Sequence, residues 1–173
     1  MDKITEQRII LLHPDLRDEV TNLINLANEL LTGSAQVRIV QGLRTFAEQN
    51  RLYALGRTIV NPDGRSARKP KGNIVTNAKG GQSIHNYGCA IDFALLINGK
   101  EISWDINKDF DNDRIADWKE VVNLFKKAGW SWGGDWKSFK DYPHLEKSQG
   151  YTWRELLEKH NNGEVDEEGY VIF

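Results

Sequence analysis

A chain of 173 residues and 19.8 kDa has the size of one domain, so a single domain with one hydrophobic core is the expectation. Apolar residues at 39% and charged residues at 28% exclude a disordered, fibrous or membrane-embedded chain. Lys and Arg total 23 against 25 Asp and Glu, a net charge of −2. That balance lacks the basic excess of a nucleic-acid binder, and no nucleic-acid partner is expected. The only cysteine, Cys89, removes a disulfide framework and a Cys-rich zinc module together.

The first apolar run, Ile9 to Leu12, is too short for a signal-peptide core or a membrane span. Synthesis in the cytoplasm without autonomous export, and no membrane insertion, follow as expectations. Leu16, Val20, Leu23, Ile24, Ala27, Leu30 and Leu31 recur at three- and four-residue intervals, which predicts an amphipathic helix starting near residue 14 and stopping at Gly33. Residues 36–41 are rich in β-branched side chains and predict a strand. Thr45 then caps a second helix that buries Phe46, Leu52, Tyr53 and Leu55 and ends at Gly56.

From Arg57 to Gly81 the apolar periodicity stops, and a long loop is expected. Six basic residues there face the single acid Asp63, a local charge of +5 that leaves −7 for the rest of the chain. Such a segment is either a solvated loop or a lid that meets an acidic substrate. Residues 90–97 alternate as a strand, Asn98-Gly99 is a hairpin turn, and Glu101 to Trp104 is the return strand. A helix from Ile115 to Ala128 closed by Gly129, a last helix from Tyr151 to His160 and an acidic tail over 161–173 complete the pattern.

Asp92 is the one charged residue in an otherwise apolar strand, and a buried carboxylate needs a cation or hydrogen-bond donors. Its small neighbours Ala90 and Ala94 leave room for an ion, while an Arg or Lys partner is the competing explanation. His85 lies in Ser83-Ile84-His85-Asn86-Tyr87-Gly88-Cys89-Ala90-Ile91-Asp92, and His144 in Asp141-Tyr142-Pro143-His144-Leu145-Glu146. Pro143 favours polyproline geometry, which brings residues 141 and 144 to the same side. Two His, one Asp and a position for water is the composition of a catalytic zinc site, with a nearby carboxylate as base.

The Ser-x-His-x-x-Gly-x-Ala-x-Asp and Asp-x-Pro-His-x-Glu runs together resemble the zinc peptidases of bacterial cell-wall peptides. This is the D-alanyl-D-alanine carboxypeptidase and L-alanyl-D-glutamate endopeptidase family, which includes phage endolysins. The resemblance continues through Gly42-Leu43-Arg44-Thr45, Val75-Thr76-Asn77-Ala78 and Gly129 to Trp136, and so covers about residues 6–150. It implies an α+β fold with a small antiparallel sheet flanked by helices, similar to Hedgehog domains and D-Ala-D-Ala peptidases. It further implies zinc on His85, Asp92 and His144, Asp141 as catalytic base and Arg44 on the substrate carbonyl or carboxylate, with Ser83 and Trp136 on the substrate. The Asp base and the Gly-Gly-Asp-Trp run lean toward the endopeptidase branch, which cuts the L-alanyl-D-glutamate bond of the peptidoglycan stem peptide. A monomeric phage or prophage endolysin, released to the wall by a separate pore, is the implied setting. A D-alanyl-D-alanine carboxypeptidase or dipeptidase, or a non-hydrolytic zinc-stabilised binding module, are the alternatives. The loop over 57–81 is longer and more basic than the family pattern, which bears on substrate selectivity.

Other features keep two explanations each. Cys89 beside His85 is either a buried small residue or a thiol nucleophile. His13 and His160 have surface or capping roles. Trp130, Trp132 and Trp136 either fill the core or form a stacking wall for substrate. Asp109, Asp111, Asp113, Asp117 and Glu120 fall at positions 1, 3, 5, 9 and 12 of a calcium-loop template, with Arg114 where that template demands Gly. Calcium binding and complementation of a helix dipole compete for them.

Overall fold

The Asp2 carboxylate accepts hydrogen bonds from the backbone N–H groups of Ile4 and Thr5 and so caps helix α1 (Lys3–Ile9). The apolar pattern gave no sign of this helix, because only Thr5 and Ile9 are buried on it. The computed structural model describes residues 1–173. After α1 come α2 (Pro14–Leu30), β1 (Ala35–Gln41), α3 (Phe46–Ala54), β2 (Ala90–Ile97), β3 (Glu101–Ser103), α4 (Asp117–Lys127), β4 (Ser131–Trp132), β5 (His144–Glu146) and α5 (Trp153–Asn161). This is the expected α+β class.

The chain forms two compact units, Met1–Leu43 with Gly88–Gly150, and Arg44–Tyr87 with Tyr151–Phe173. The first unit holds all five strands, in an antiparallel sheet ordered β1-β2-β5-β4 with β3 also on β2. Strand β2 is the spine. Leu95, Leu96 and Ile97 pair with β3, while Ala90, Ile91 and Asp92 pair with β5. On its other edge β1 pairs with β2 from Asp92 to Ile97, with a bulge between Ile39 and Gln41. Both faces of β2 are covered, and residues 90–96 other than Asp92 are all buried, in keeping with a strand that has one polar exception. Asn98 and Gly99 take φ of 51° and 69°, the left-handed pair that closes a tight hairpin.

Helix α2 lays Leu16, Val20, Leu23, Ile24 and Ala27 into the core. His13 caps its start, Nδ1 accepting from the Asp15 N–H at 3.3 Å, so the capping role holds although the residue is buried rather than at the surface. The helix ends at Leu30 and Gly33 is not its stop. A Cβ on Gly33 would stand 2.7 Å from the Phe110 carbonyl oxygen and 2.8 Å from the Asp111 Cβ, so glycine permits a close approach there. Helix α4 buries Trp118, Val121, Val122 and Phe125, and the Trp118 ring lies 4.3 Å from that of Phe93 on β2.

β1 is an edge strand whose outward polar groups are nonetheless engaged. The Val37 N–H donates to Asn28 Oδ1, the Ile39 N–H donates to Thr5 Oγ1, and the Ile39 carbonyl accepts from Arg8.

In the second unit Thr45 and Glu48 form a capping box on α3. The side chains expected to be buried there, Phe46, Leu52, Tyr53 and Leu55, are only half-buried; the buried residue is polar Gln49. Gln49 is held by donating to the Ala78 carbonyl and accepting from Arg44 Nη1. The loop that follows carries no helix or strand from Gly56 to Ser83, as expected, but it is stitched by its own polar groups. Arg57 donates to the Tyr53 and Thr76 carbonyls and stacks on the Tyr53 ring, and Lys71 donates to the Arg57 carbonyl. Part of the loop's positive charge is therefore engaged within it. Thr152 and Glu155 make a second capping box on α5, and no helix of the chain is long and apolar enough to cross a membrane.

Two stability outcomes follow. Trp118→Ala removes a fully buried ring stacked on Phe93 and is expected to cost about 3–5 kcal/mol; Thr45→Ala removes one cap and is expected to cost ~1 kcal/mol. Urea unfolding of the two variants against the parent chain measures both.

Candidate active site

In the first unit the pairing of β2 with β5 sets Asp92 directly opposite His144. The ladder around them is extended by the Phe93 N–H donating to the Pro143 carbonyl and the Lys147 N–H donating to the Cys89 carbonyl. His144 Nδ1 lies 3.2 Å from Asp92 Oδ1, and Nε2 lies 2.8 Å from Glu146 Oε2. Glu146 reaches the same imidazole because residues two apart on a strand share a face. Burial alone depresses the pKa of His144, but hydrogen bonds and charge from Asp92 and Glu146 outweigh it and push the group up to about 9.

Asp141 begins a turn rather than a polyproline segment. The His144 N–H donates to the Asp141 carbonyl at 3.3 Å, and the Asp141 N–H donates to the Gly133 carbonyl at 3.1 Å. Polyproline helix has no such internal bonds, so a turn replaces the polyproline geometry expected from Pro143. A Cβ on Gly133 would meet the Asp141 carbonyl oxygen at 2.4 Å and the His144 Cβ at 3.1 Å. At Gly134 it would meet the Trp132 ring at 2.3 Å. The paired glycines thus let the turn close over the sheet.

Two of the three tryptophans follow the core explanation. Trp130 and Trp132 are buried, their indole N–H groups donating to Glu19 Oε1 and the Tyr142 carbonyl. Trp136 is half-buried, with its ring 5.2 Å from the His144 imidazole. Cys89 is fully buried and its thiol is pushed up to about 12, chiefly by burial. Such a thiol is inert, which removes the nucleophile explanation.

In the second unit His85 lies in a short 3-10 helix, Ile84–Tyr87, and is buried. Its carbonyl accepts from the Arg44 N–H at 3.0 Å, and Asn86 donates to the Arg44 carbonyl at 2.7 Å. The Arg44 guanidinium donates to Gln49 Oε1 at 2.9 Å. Ser83 is half-buried and begins the turn, its carbonyl accepting from the Asn86 N–H. His160, by contrast, is exposed at the end of α5 with its ring 5.0 Å from Phe46.

Tetrahedral zinc with nitrogen and oxygen ligands sets its donors about 3.3 Å apart, and the 3.2 Å between His144 Nδ1 and Asp92 Oδ1 has that spacing. These two donors, an imidazole nitrogen and a carboxylate oxygen, therefore fit a zinc ion. Sequence reasoning singled out His85, Asp92 and His144 as a candidate set but gave no role to Glu146, Gln49 or Asn86. Glu146 was legible in the motif through its i+2 spacing from His144, whereas Gln49 carried no signal.

A family model described as D-alanyl-D-alanine carboxypeptidase matches residues 76–147. Over its candidate site, the chain is similar to this peptidase family. Among curated relatives, the peptidoglycan L-alanyl-D-glutamate endopeptidase CwlK of Bacillus subtilis (strain 168) is 52% identical over 110 residues, which are 64% of this chain and 59% of that protein. The L-alanyl-D-glutamate peptidase of Listeria phage A118 is 37% identical over 65 residues, 38% of this chain and 21% of that one. The chain thus spans well under two thirds of the length of these relatives. The crystal structure of the Serratia marcescens L-Ala D-Glu endopeptidase ChiX aligns over 90% of this chain and 91% of that one, with a TM-score of 0.49 and 23% identity. Both candidate ligands from the first motif, His85 and Asp92, and His144 from the second fall inside the family match.

The glycine contacts yield a direct test. Gly133→Ala is expected to keep the far-UV circular dichroism of the parent while weakening zinc at least tenfold, because the new methyl displaces the 141–144 turn that supports His144. Competition against a colorimetric zinc chelator measures the affinity.

Proposed function

We propose that the chain is a zinc metallopeptidase that hydrolyses the L-alanyl-D-glutamate bond of the peptidoglycan stem peptide, as a phage or prophage endolysin would. The observation that carries this reading is the Asp92–His144 pair, set opposite one another across β2 and β5. The names of the two curated relatives support the bond chosen. His85, Asp92 and His144 would hold the zinc, and Glu146 would orient the His144 ring through the remaining nitrogen.

Zinc in such a site polarises a carbonyl and lowers the pKa of a water toward about 7. Asp141 takes the proton released by the attacking water and returns it to the leaving amine. The Arg44 guanidinium, oriented by Gln49, stabilises the negative charge that develops on the scissile carbonyl oxygen. Trp136, lying against His144, would form an apolar wall for the substrate, and Ser83 would contact the substrate as well.

Zinc-loaded chain mixed with a stem peptide that begins L-alanyl-D-glutamyl is expected to release free L-alanine, detected by mass spectrometry. Chelation with excess EDTA should abolish the release, and Asp141→Ala should lower it by a factor of about 10²–10⁴. Release of D-alanine from the other end of the same peptide would instead identify the carboxypeptidase that the family description names. Cleavage of neither bond would sink the peptidase reading in favour of a zinc-stabilised binding module.

A further inference from the structure

Helix α4 begins among five acids. Donor oxygens of Asp109, Asp111 and Asp117 lie within 4.8 Å of one another, and so do those of Asp111, Asp113 and Glu120. Asp111 therefore joins the two groups into one cluster. No ion pair connects any of the five to a Lys or Arg. The nearby cations Lys108 and Lys119 are directed at the rings of Phe110 and Trp132.

A helix dipole accounts for acids in a first turn, but not for how these are buried. Asp117 is 0% exposed. Its Oδ1 accepts from the Phe110 N–H at 2.8 Å, while its Oδ2 is buried and has no hydrogen-bond partner. Glu120 Oε2 is likewise buried and unpartnered. Two orphaned carboxylate oxygens in one cluster of five acids are costly in an apolar setting, and a cation is what would satisfy both. Burial, then repulsion from Asp113, Asp111, Asp117 and Asp109, pushes the Glu120 carboxyl up to about 7.

We propose that residues 109–120 form a calcium site, with Asp109, Asp111, Asp113, Asp117 and Glu120 supplying carboxylate oxygens. Calcium takes six to eight oxygen ligands in flexible geometry, which a loop of acids at alternate positions provides. The residue that breaks the loop template in sequence conforms to it in structure. Arg114 adopts φ of +80°, the left-handed turn that the template ordinarily assigns to glycine, and its N–H donates to Asp109 Oδ2 at 2.9 Å. Asp111 also accepts from the Thr32 N–H and hydroxyl through Oδ2, so the ion ties the end of α2 to the start of α4. Trp118, next to Asp117, rests on Phe93, itself next to Asp92. The site is distinct from the His-Asp-His set, and its existence does not depend on the peptidase reading.

Isothermal titration of the full zinc-loaded chain with calcium chloride is expected to show one calcium per chain, with magnesium chloride binding at least tenfold more weakly. Differential scanning calorimetry should show a rise in Tm with calcium. Glu120→Gln alters an oxygen that has no partner in the fold, so it should fold. It is expected to raise the Tm without calcium, by relieving repulsion, and to weaken calcium at least tenfold. Asp111→Asn should weaken calcium similarly, and Glu120→Gln carries the test if loss of the Thr32 contacts unfolds it. Absence of heat and of any Tm change up to about 10 mM calcium, above the weakest range of such loops, would overturn the proposal. So would calcium binding unchanged in Glu120→Gln, or equal binding of magnesium.

Discussion

An antiparallel backbone ladder holds a carboxylate and an imidazole face to face on β2 and β5, and the chemistry attributed to this chain depends on that register. β5 is only three residues long, too short to persist through its own propensity. It is fixed by what lies on either side: the Phe93–Pro143 and Lys147–Cys89 backbone bonds continue its pairing beyond the strand, and β4 closes its other edge. Slipping the register by one residue would turn His144 to the opposite face of the sheet. The glycine pair at 133 and 134 belongs to the same constraint, since the turn that delivers Asp141 occupies the space their side chains would fill.

The electrostatics obey that geometry. Asp92 is mostly shielded from water, and a carboxylate there is tolerated because His144 lies beside it. For His144 two opposing effects can be ranked. Burial favours the neutral ring, two adjacent carboxylates favour the cation, and the carboxylates win. A metal cation held by the same groups would balance the two carboxylates as a proton on the imidazole does.

Much of this was legible in the sequence, and the failures have physical causes. Strand β2 could be predicted because β-branched and apolar residues run up to a turn dipeptide, and Asp92 stood out against that background. Helix α1 was missed because its stability comes from the Asp2 cap and two buried side chains rather than from an apolar stripe. The short strands β4 and β5 are set by long-range pairing, which no local pattern encodes. Gln49 illustrates the same limit in the site: a polar residue amid a helical apolar pattern looked like surface, yet it is buried because the Ala78 carbonyl and Arg44 satisfy it. Gly33 was read as punctuation and is a point of close contact instead.

The side-chain seal along β1 bears on how the protein behaves when crowded. An exposed strand edge is a template onto which another chain can add, the usual start of sheet-to-sheet aggregation. Here Thr5, Arg8 and Asn28 occupy the outward hydrogen-bonding positions of Val37 and Ile39, so helices α1 and α2 serve as a substitute neighbouring strand. The first helix, with few buried residues of its own, thereby works as a guard against self-association along that edge. A peptide seeking to join the sheet by strand addition would have to displace it.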